Sequence, residues 1–265
     1  MNRTYSTPGT ADPAVAITRV SENQWHAMQD GRVVGRSDAL SRPDGRLFLS
    51  IDAWHGAAFD QLAAAMVADL PTPLHTLVDE SDLDSTSRWQ RAGFAIGRRE
   101  REYVVPTDPA TTGLGSAQPP SAVTIVPVGE AEQGPLRALD LVIRDEVEAT
   151  VGWQRMPAEV LPRPAGVTVV DPSKYAVAAR AGRYVGLVRL APVARQPRIG
   201  LIAVRADEHR RGIARAMLAS VLGALHRSGV ATARAEVDVS NEAAVALFEG
   251  VGADLAGCSL ELVCR

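Results

Sequence analysis

The chain has 265 residues, 46% hydrophobic and 22% charged, a composition for a water-soluble chain of one large domain or two small ones. A formal net charge of -3 and a pI near 6.0 exclude a general attraction to nucleic acid or to an anionic membrane and leave any cationic surface local. With no apolar leader, no run of bilayer length, no Cys/His metal spacing and no nucleophile elbow, the expectation is a cytoplasmic protein without membrane, metal or serine-hydrolase chemistry.

Residues 1–15, dominated by Gly, Pro, Ser and Thr, read as a disordered lead-in. Trp25-His-Ala-Met-Gln-Asp-Gly31-Arg-Val-Val-Gly35 then reads as a hairpin turning at Gly31. A strand (Arg46 to Ile51), a helix (Ala57 to Ala68), a strand (Leu74 to Val78) and a helix closing on Arg91-Ala-Gly-Phe94 follow. Residues 106–121 lack hydrophobic periodicity and are dense in Pro, Gly, Ser and Thr, as an interdomain linker would be. Beyond it come a strand (Val123 to Val128), a helix (Pro135 to Thr150), a short helix (Met156 to Leu161) and a second hairpin, Tyr175 to Gly186. The order then repeats: strand (Ile199 to Val204), helix (Gly212 to Arg227), strand (Thr232 to Val239), and a helix ending in Gly250-Val-Gly-Ala253.

Both hairpins contain Gly-Arg-x-Val-Gly, and both are followed by the same elements, so the chain reads as a tandem repeat. The first unit, 16–105, is truncated: its hairpin starts too early for an opening strand and two further helices. Its role is either a scaffold stabilised by burial of Trp25, Trp54 and Trp89 or one wall of the second unit's cleft. The second unit, 122–265, is complete. Cys258 and Cys264 fall on one face of the last strand and too far apart to bridge.

Chemistry concentrates between Val204 and Leu218. A strand containing Leu201, Ile202 and Val204 runs through Arg-Ala-Asp-Glu-His-Arg-Arg-Gly212 into a helix whose Ile213, Met217, Leu218, Val221, Leu222 and Leu225 recur at helical spacing. Helix N-termini offer unpaired N–H groups and a positive dipole end, Gly212 lets a ligand approach the backbone, and Arg210, Arg211 and Arg215 add charge, so this junction suits a pyrophosphate. The corresponding stretch of the first unit, Ile51 to Gly56, has no Arg and carries two bulky rings, so it offers no such cradle. Ser240 and Asn241 are cap candidates for the last helix.

At these two motifs the chain resembles the GNAT acetyltransferase superfamily. The family's acyl-CoA loop, Arg/Gln-x-x-Gly-x-Gly/Ala, faces His209-Arg210-Arg211-Gly212-Ile213-Ala214 here. Its following helix, Asn-x-x-Ala-x-x-Leu-Tyr-Glu-x-x-Gly-Phe, faces Asn241, Ala244, Leu247, Phe248, Glu249, Gly252 and Ala253. His209, Phe248 and Ala253 depart from the pattern. The resemblance covers roughly residues 121 to 265 and implies an α/β (mixed α+β) fold of two GNAT-like units, each a mostly antiparallel mixed sheet flanked by helices. The tandem organisation also resembles that of the mycothiol synthases.

The resemblance further implies acetyl-CoA, or another short acyl-CoA, as co-substrate, with no metal. Its pantetheine arm would lie along the main chain of Ile202, Ala203 and Val204, its pyrophosphate among His209, Arg210, Arg211, Gly212, Ile213, Ala214 and Arg215, with Asn241 and Phe248 alongside. The position that often carries the family's glutamate base is Arg198, and the usual acidic tyrosine is Phe248. Replacement bases are Glu236 and Asp238, two apart on one strand and so on one face; a solvent-facing role for Glu236 is the alternative. Asp145 and Glu148, with Glu146, either line the acceptor side and attract a cation or are ordinary surface charge. Trp153 is either an apolar wall for the acceptor or a core residue. The expected partner is an amine acceptor, a small metabolite or antibiotic-like amine, with the chain a monomer or homodimer. The competing function is a non-catalytic acyl-CoA-binding protein.

Overall fold

The computed structural model describes residues 14–42, 45–150, 152, 170–191 and 196–265. The expectations for residues 1–13, for Trp153 and for the helix at 156–161 lie outside these. Alternation of buried and exposed positions marks several of the strands. In Thr232–Asp238, for example, Ala233, Ala235 and Val237 turn into the core while Arg234 and Glu236 do not.

The N-terminal half runs β1 (Ala16–Ser21), β2 (Gln24–Gln29), β3 (Arg32–Ser41), β4 (Leu47–Ala53), α1 (Gly56–Asp69), β5 (Leu74–Asp79), α2 (Leu83–Arg91) and β6 (Ala95–Pro106). After a short α3 (Pro109–Thr112), the second half runs β7 (Val123–Val126), α4 (Gln133–Glu148), β8 (Tyr175–Arg180), β9 (Arg183–Ala191), β10 (Arg198–Val204), α5 (Ile213–Arg227), β11 (Thr232–Asp238), α6 (Glu242–Glu249) and β12 (Asp254–Cys264). This is the mixed α/β architecture expected.

All described strands join one sheet in the order β1-β2-β3-β4-β5-β12-β6-β11-β10-β9-β8-β7. Its two parallel contacts, β4 with β5 and β10 with β11, occupy matching places in the halves. At the centre the halves exchange their last strands. β12 pairs antiparallel with β5 and β6, both from the N-terminal half. β6 in turn pairs with β11 and β12, and has no neighbour from its own half.

Helices cover the sheet where their apolar faces meet it. α1 buries Ala58, Phe59, Leu62, Ala63 and Met66 in a core shared with α2, and α5 buries Ile213, Met217, Leu218, Val221 and Leu222 in a second. α4 packs Leu136, Leu139 and Ile143 against Val177, Leu187 and Leu201, forming a third cluster. Gly186 of β9 sits where α5 crosses the sheet: a Cβ there would lie 2.9 Å from Met217 Cε and 3.2 Å from the Ala203 carbonyl oxygen. Gly35 occupies the same place beneath Leu62 of α1.

Three expectations change. The first unit does have an opening strand: β1 pairs with β2 across a turn at Glu22 and Asn23, and its almost wholly exposed side chains carry no alternation to read. Trp54 does not join the buried rings; it is 75% exposed, whereas Trp25 and Trp89 are buried. The stretch between the halves is packed: Thr107 and Leu114 are buried, and the Thr107 hydroxyl donates to the Ala231 carbonyl at 3.0 Å. Both cysteines are free. Among the described residues no helix is long and apolar enough to cross a membrane.

Candidate functional site

β10 ends at Val204, and the Arg205 N–H still donates to the Val185 carbonyl at 2.9 Å, which fixes where the following loop starts. A single 3-10 turn, Ala206–Glu208, leads to Gly212, the residue before α5, in the left-handed region at φ 81°. That conformation favours glycine, and a Cβ there would meet nothing within 4 Å. No side chain caps α5, so the first turn presents its backbone N–H groups and positive dipole end outward. In the N-terminal half the matching junction passes from Trp54 straight to His55, whose Nδ1 accepts from the Ala58 N–H at 3.3 Å. The helix start that the second half leaves open is filled there by a ring.

Of the basic residues expected here, Arg210 and Arg211 flank Gly212 on the exposed side of the loop. Arg211 forms an ion pair with the Glu208 carboxylate at 3.1 Å. His209 is exposed and already engaged, its Nε2 2.6 Å from the Val204 carbonyl oxygen. Arg215 is committed elsewhere, donating to the carbonyls of Gly113 at 3.3 Å and Gly250 at 3.4 Å. It ties α5 to the connecting segment and the end of α6, rather than reaching over the helix start.

Next to this loop the sheet opens. β10 and β11 are in register only at Arg198 with Arg234 and Ile199 with Ala235, and the β9–β10 ladder is irregular between Ile199 and Leu201. The strands then part around a small cleft open to solvent. One wall is Ile199 to Ile202, another Asn241, Ala244 and Phe248 of α6, and the polar end is Arg98, Glu236 and Asp238. Asn241 caps α6, accepting from the Ala244 N–H at 3.1 Å. Phe248 is buried and stacks on Tyr103 with ring centroids 5.8 Å apart. In the N-terminal half, the Thr76 hydroxyl donates to the Leu49 carbonyl at 3.0 Å, bridging the corresponding strands.

The two halves act as controls for each other at the polar end. Asp238 accepts from the Ser240 N–H at 2.8 Å and from its hydroxyl at 2.6 Å. Asp79 does the same with Ser81, at the same two distances, in the half that lacks the loop. Asp238 is therefore explained by its turn. Glu236 is not: it faces Glu102 across the ladder, and the residue in its place in the first half, facing Glu261, is Leu77. Glu236 accepts from Arg198 at 2.7 Å.

Sequence reading missed what β6 brings. Arg98, from the N-terminal half, lines the cleft, pairs with Glu100 and holds Asp238 at 3.5 Å. Burial pushes the Glu100 carboxyl above its ordinary value against the pull of Arg98, and Glu236 and Glu261 push in the same direction. No local pattern places these residues here, because only the strand exchange does. Asp145 and Glu148 are exposed on α4 and are not among the cleft's lining residues. Their neighbour Glu146 instead accepts from the Ala206 N–H of the loop at 2.9 Å.

A parted parallel pair beside an open helix start is the geometry of a site that takes an extended ligand with an anionic end. Residues 142–253 match the family model described as "Acetyltransferase (GNAT) family". A stretch of 51 residues, 19% of this chain, is 47% identical to the ribosomal protein bS18-alanine N-acetyltransferases of Escherichia coli (strain K12) and Shigella flexneri. It spans about a third (34%) of the length of those curated relatives. Among solved structures, a GCN5-related N-acetyltransferase from Sphaerobacter thermophilus aligns with a TM-score of 0.65 at 17% identity, over 93% of this chain and 81% of that one. A tandem GNAT protein from the clavulanic acid biosynthesis pathway aligns at 0.62 and 14% identity, over 96% and 84%. These identities speak to the fold alone. Over residues 142–253 the chain is similar to the GNAT acetyltransferase family.

Proposed function

We propose that this protein is an acyl-CoA-dependent N-acyltransferase, with acetyl-CoA as donor and an amine as acceptor, working by direct transfer in a ternary complex. The observation that carries the reading is the cleft between β10 and β11, which runs from Asn241 and Phe248 to Glu236 beside the open N-terminus of α5. The residues fit the donor. The first-turn N–H groups of α5, including those of Ile213 and Ala214, with Gly212, Arg210 and Arg211, would hold its pyrophosphate. The main chain of Ile202, Ala203 and Val204 would run along its pantetheine arm. Acyl-CoA supplies an activated acyl group on a thiol that leaves readily near neutral pH.

An ammonium is unreactive, so a base must take its proton. Glu236 is the residue for this: it lines the cleft and is tethered by Arg198 across the opening. We place the complete transferase unit at 122–265 and the degenerate unit at 16–105, acting in the cytoplasm as monomer or homodimer. The acceptor class extends from small metabolite and antibiotic-like amines to a protein N-terminal amine, the latter because the Escherichia coli relative is named for an alanine of bS18.

The test is calorimetric titration with CoA and acetyl-CoA, followed by mass detection of acyl transfer to a mixed panel of such amines. Binding with transfer supports the reading. Binding without any acyl product makes the protein a CoA-binding module, and no binding removes the acyl-CoA reading altogether.

A further inference from the structure

The loop that would receive a pyrophosphate contains a buried carboxylate. Glu208 is 6% exposed. Its Oε2 takes a hydrogen bond from Arg180 of β8 at 2.6 Å and an ion pair from Arg211 at 3.1 Å, with Arg183 3.8 Å from the other oxygen. A negative charge in this place works against phosphate binding, and a buried carboxylate is tolerated only when paired and hydrogen-bonded. Simple neutralisation of Glu208 needs one arginine; the arrangement supplies two more beside Arg211, Arg180 of β8 and Arg183 of β9.

Arg180 anchors the carboxylate to the sheet, and the carboxylate holds Arg211. Arg211 also donates to the Asp207 carbonyl at 3.3 Å, so two contacts fix its guanidinium while its side chain stays 48% exposed next to Gly212. An arginine has five donors in a rigid fork and loses rotamer freedom when it is ordered. Here that ordering is completed before a ligand arrives, which leaves the remaining donors available to an anion at the start of α5.

We infer that Glu208 is a positioning residue for the nucleotide end of the donor, acting through Arg211, an inference that rests on the acyl-CoA reading. The experiment is calorimetric titration of CoA into the full chain and into Glu208→Ala, Arg211→Ala and the double variant, with thermal unfolding in parallel. Expected are a loss of CoA affinity of about tenfold for Glu208→Ala, a similar or larger loss for Arg211→Ala, and no further loss in the double variant. The coupling is the readout that general weakening of the fold does not produce. Glu208→Gln, which keeps an acceptor oxygen, should recover part of the affinity.

If Glu208→Ala does not fold, Arg180→Ala carries the test, since it cuts the anchor and leaves Glu208 on Arg211. Its loss of affinity should likewise vanish in the Arg211→Ala background. Unchanged affinity in Glu208→Ala, or additive losses in the double variant, overturns the inference while the acyl-CoA reading stands. A wild-type chain that does not bind CoA overturns that reading, and the inference with it.

Discussion

Arg198 and Glu236 meet at 2.7 Å across the mouth of the β10–β11 opening, each on a different strand of the parted pair. β10 holds the cation, and the neighbouring strand β11 holds the carboxylate. Glu236→Gln should therefore lower turnover by about 100-fold, within the range for loss of a positioned proton acceptor. CoA affinity should change little, because the loop is untouched. Steady-state kinetics alongside calorimetry checks this; equal losses in turnover and CoA affinity would count against Glu236 as the base.

Gly212→Glu should abolish CoA binding with the fold intact. The substitution puts a carboxylate at the positive end of α5 and a side chain into open space at a φ of 81°. Circular dichroism should match wild type, while calorimetry should give no heat of CoA binding.

Gly186→Ala tests the close approach of α5 to β9. Met217 is flexible and can withdraw, but the Ala203 carbonyl, 3.2 Å from the added carbon, belongs to the sheet. Overpacking of this kind costs about 1–3 kcal/mol. The melting temperature should fall by several degrees, and the drop should be smaller in a Gly186→Ala, Met217→Ala double variant than the two single losses combined.

Glu100 gives a pH signature of definite sign. Its carboxyl is raised in the folded protein, first by burial, so the folded state holds its proton more tightly than the unfolded chain does. The stability this contributes is fully present below the ordinary value of 4.5 and is lost as pH rises through the folded value. Glu100→Gln should raise the melting temperature at neutral pH relative to wild type. The advantage over wild type should disappear when melting is followed down to acid pH.

The tandem plan and the loop were legible because their signals are local. Gly-Arg-x-Val-Gly marks each hairpin, and helical spacing from Ile213 to Leu225 marks α5. What escaped depends on partners distant in sequence. Alternation along β6 and β12 tells which face each residue takes, but not which strand lies alongside, so Arg98 could not be assigned to the second half's cleft, nor Glu100 to Arg98's side there. β1 escaped because an edge strand with nearly every side chain in water has no alternation. Glu208 escaped because an acid in a basic loop looks like surface charge until its burial is known. Of Glu236 and Asp238, indistinguishable by spacing, only the comparison with Leu77 and Asp79 tells them apart.

The central strand exchange also sets an order of events during synthesis. At about 5–20 residues per second, roughly 10–30 s separate the emergence of β6 from that of β12. Throughout that interval β5 lacks its outer neighbour and, until β11 emerges, β6 lacks both of its partners, since the strand that joins them is Asp254–Cys264. Two open strand edges are then available to any passing chain. The protein's vulnerable moment is therefore its own translation, and a ribosome that stalls before residue 254 would leave a product whose sheet is complete on neither side of its missing strand.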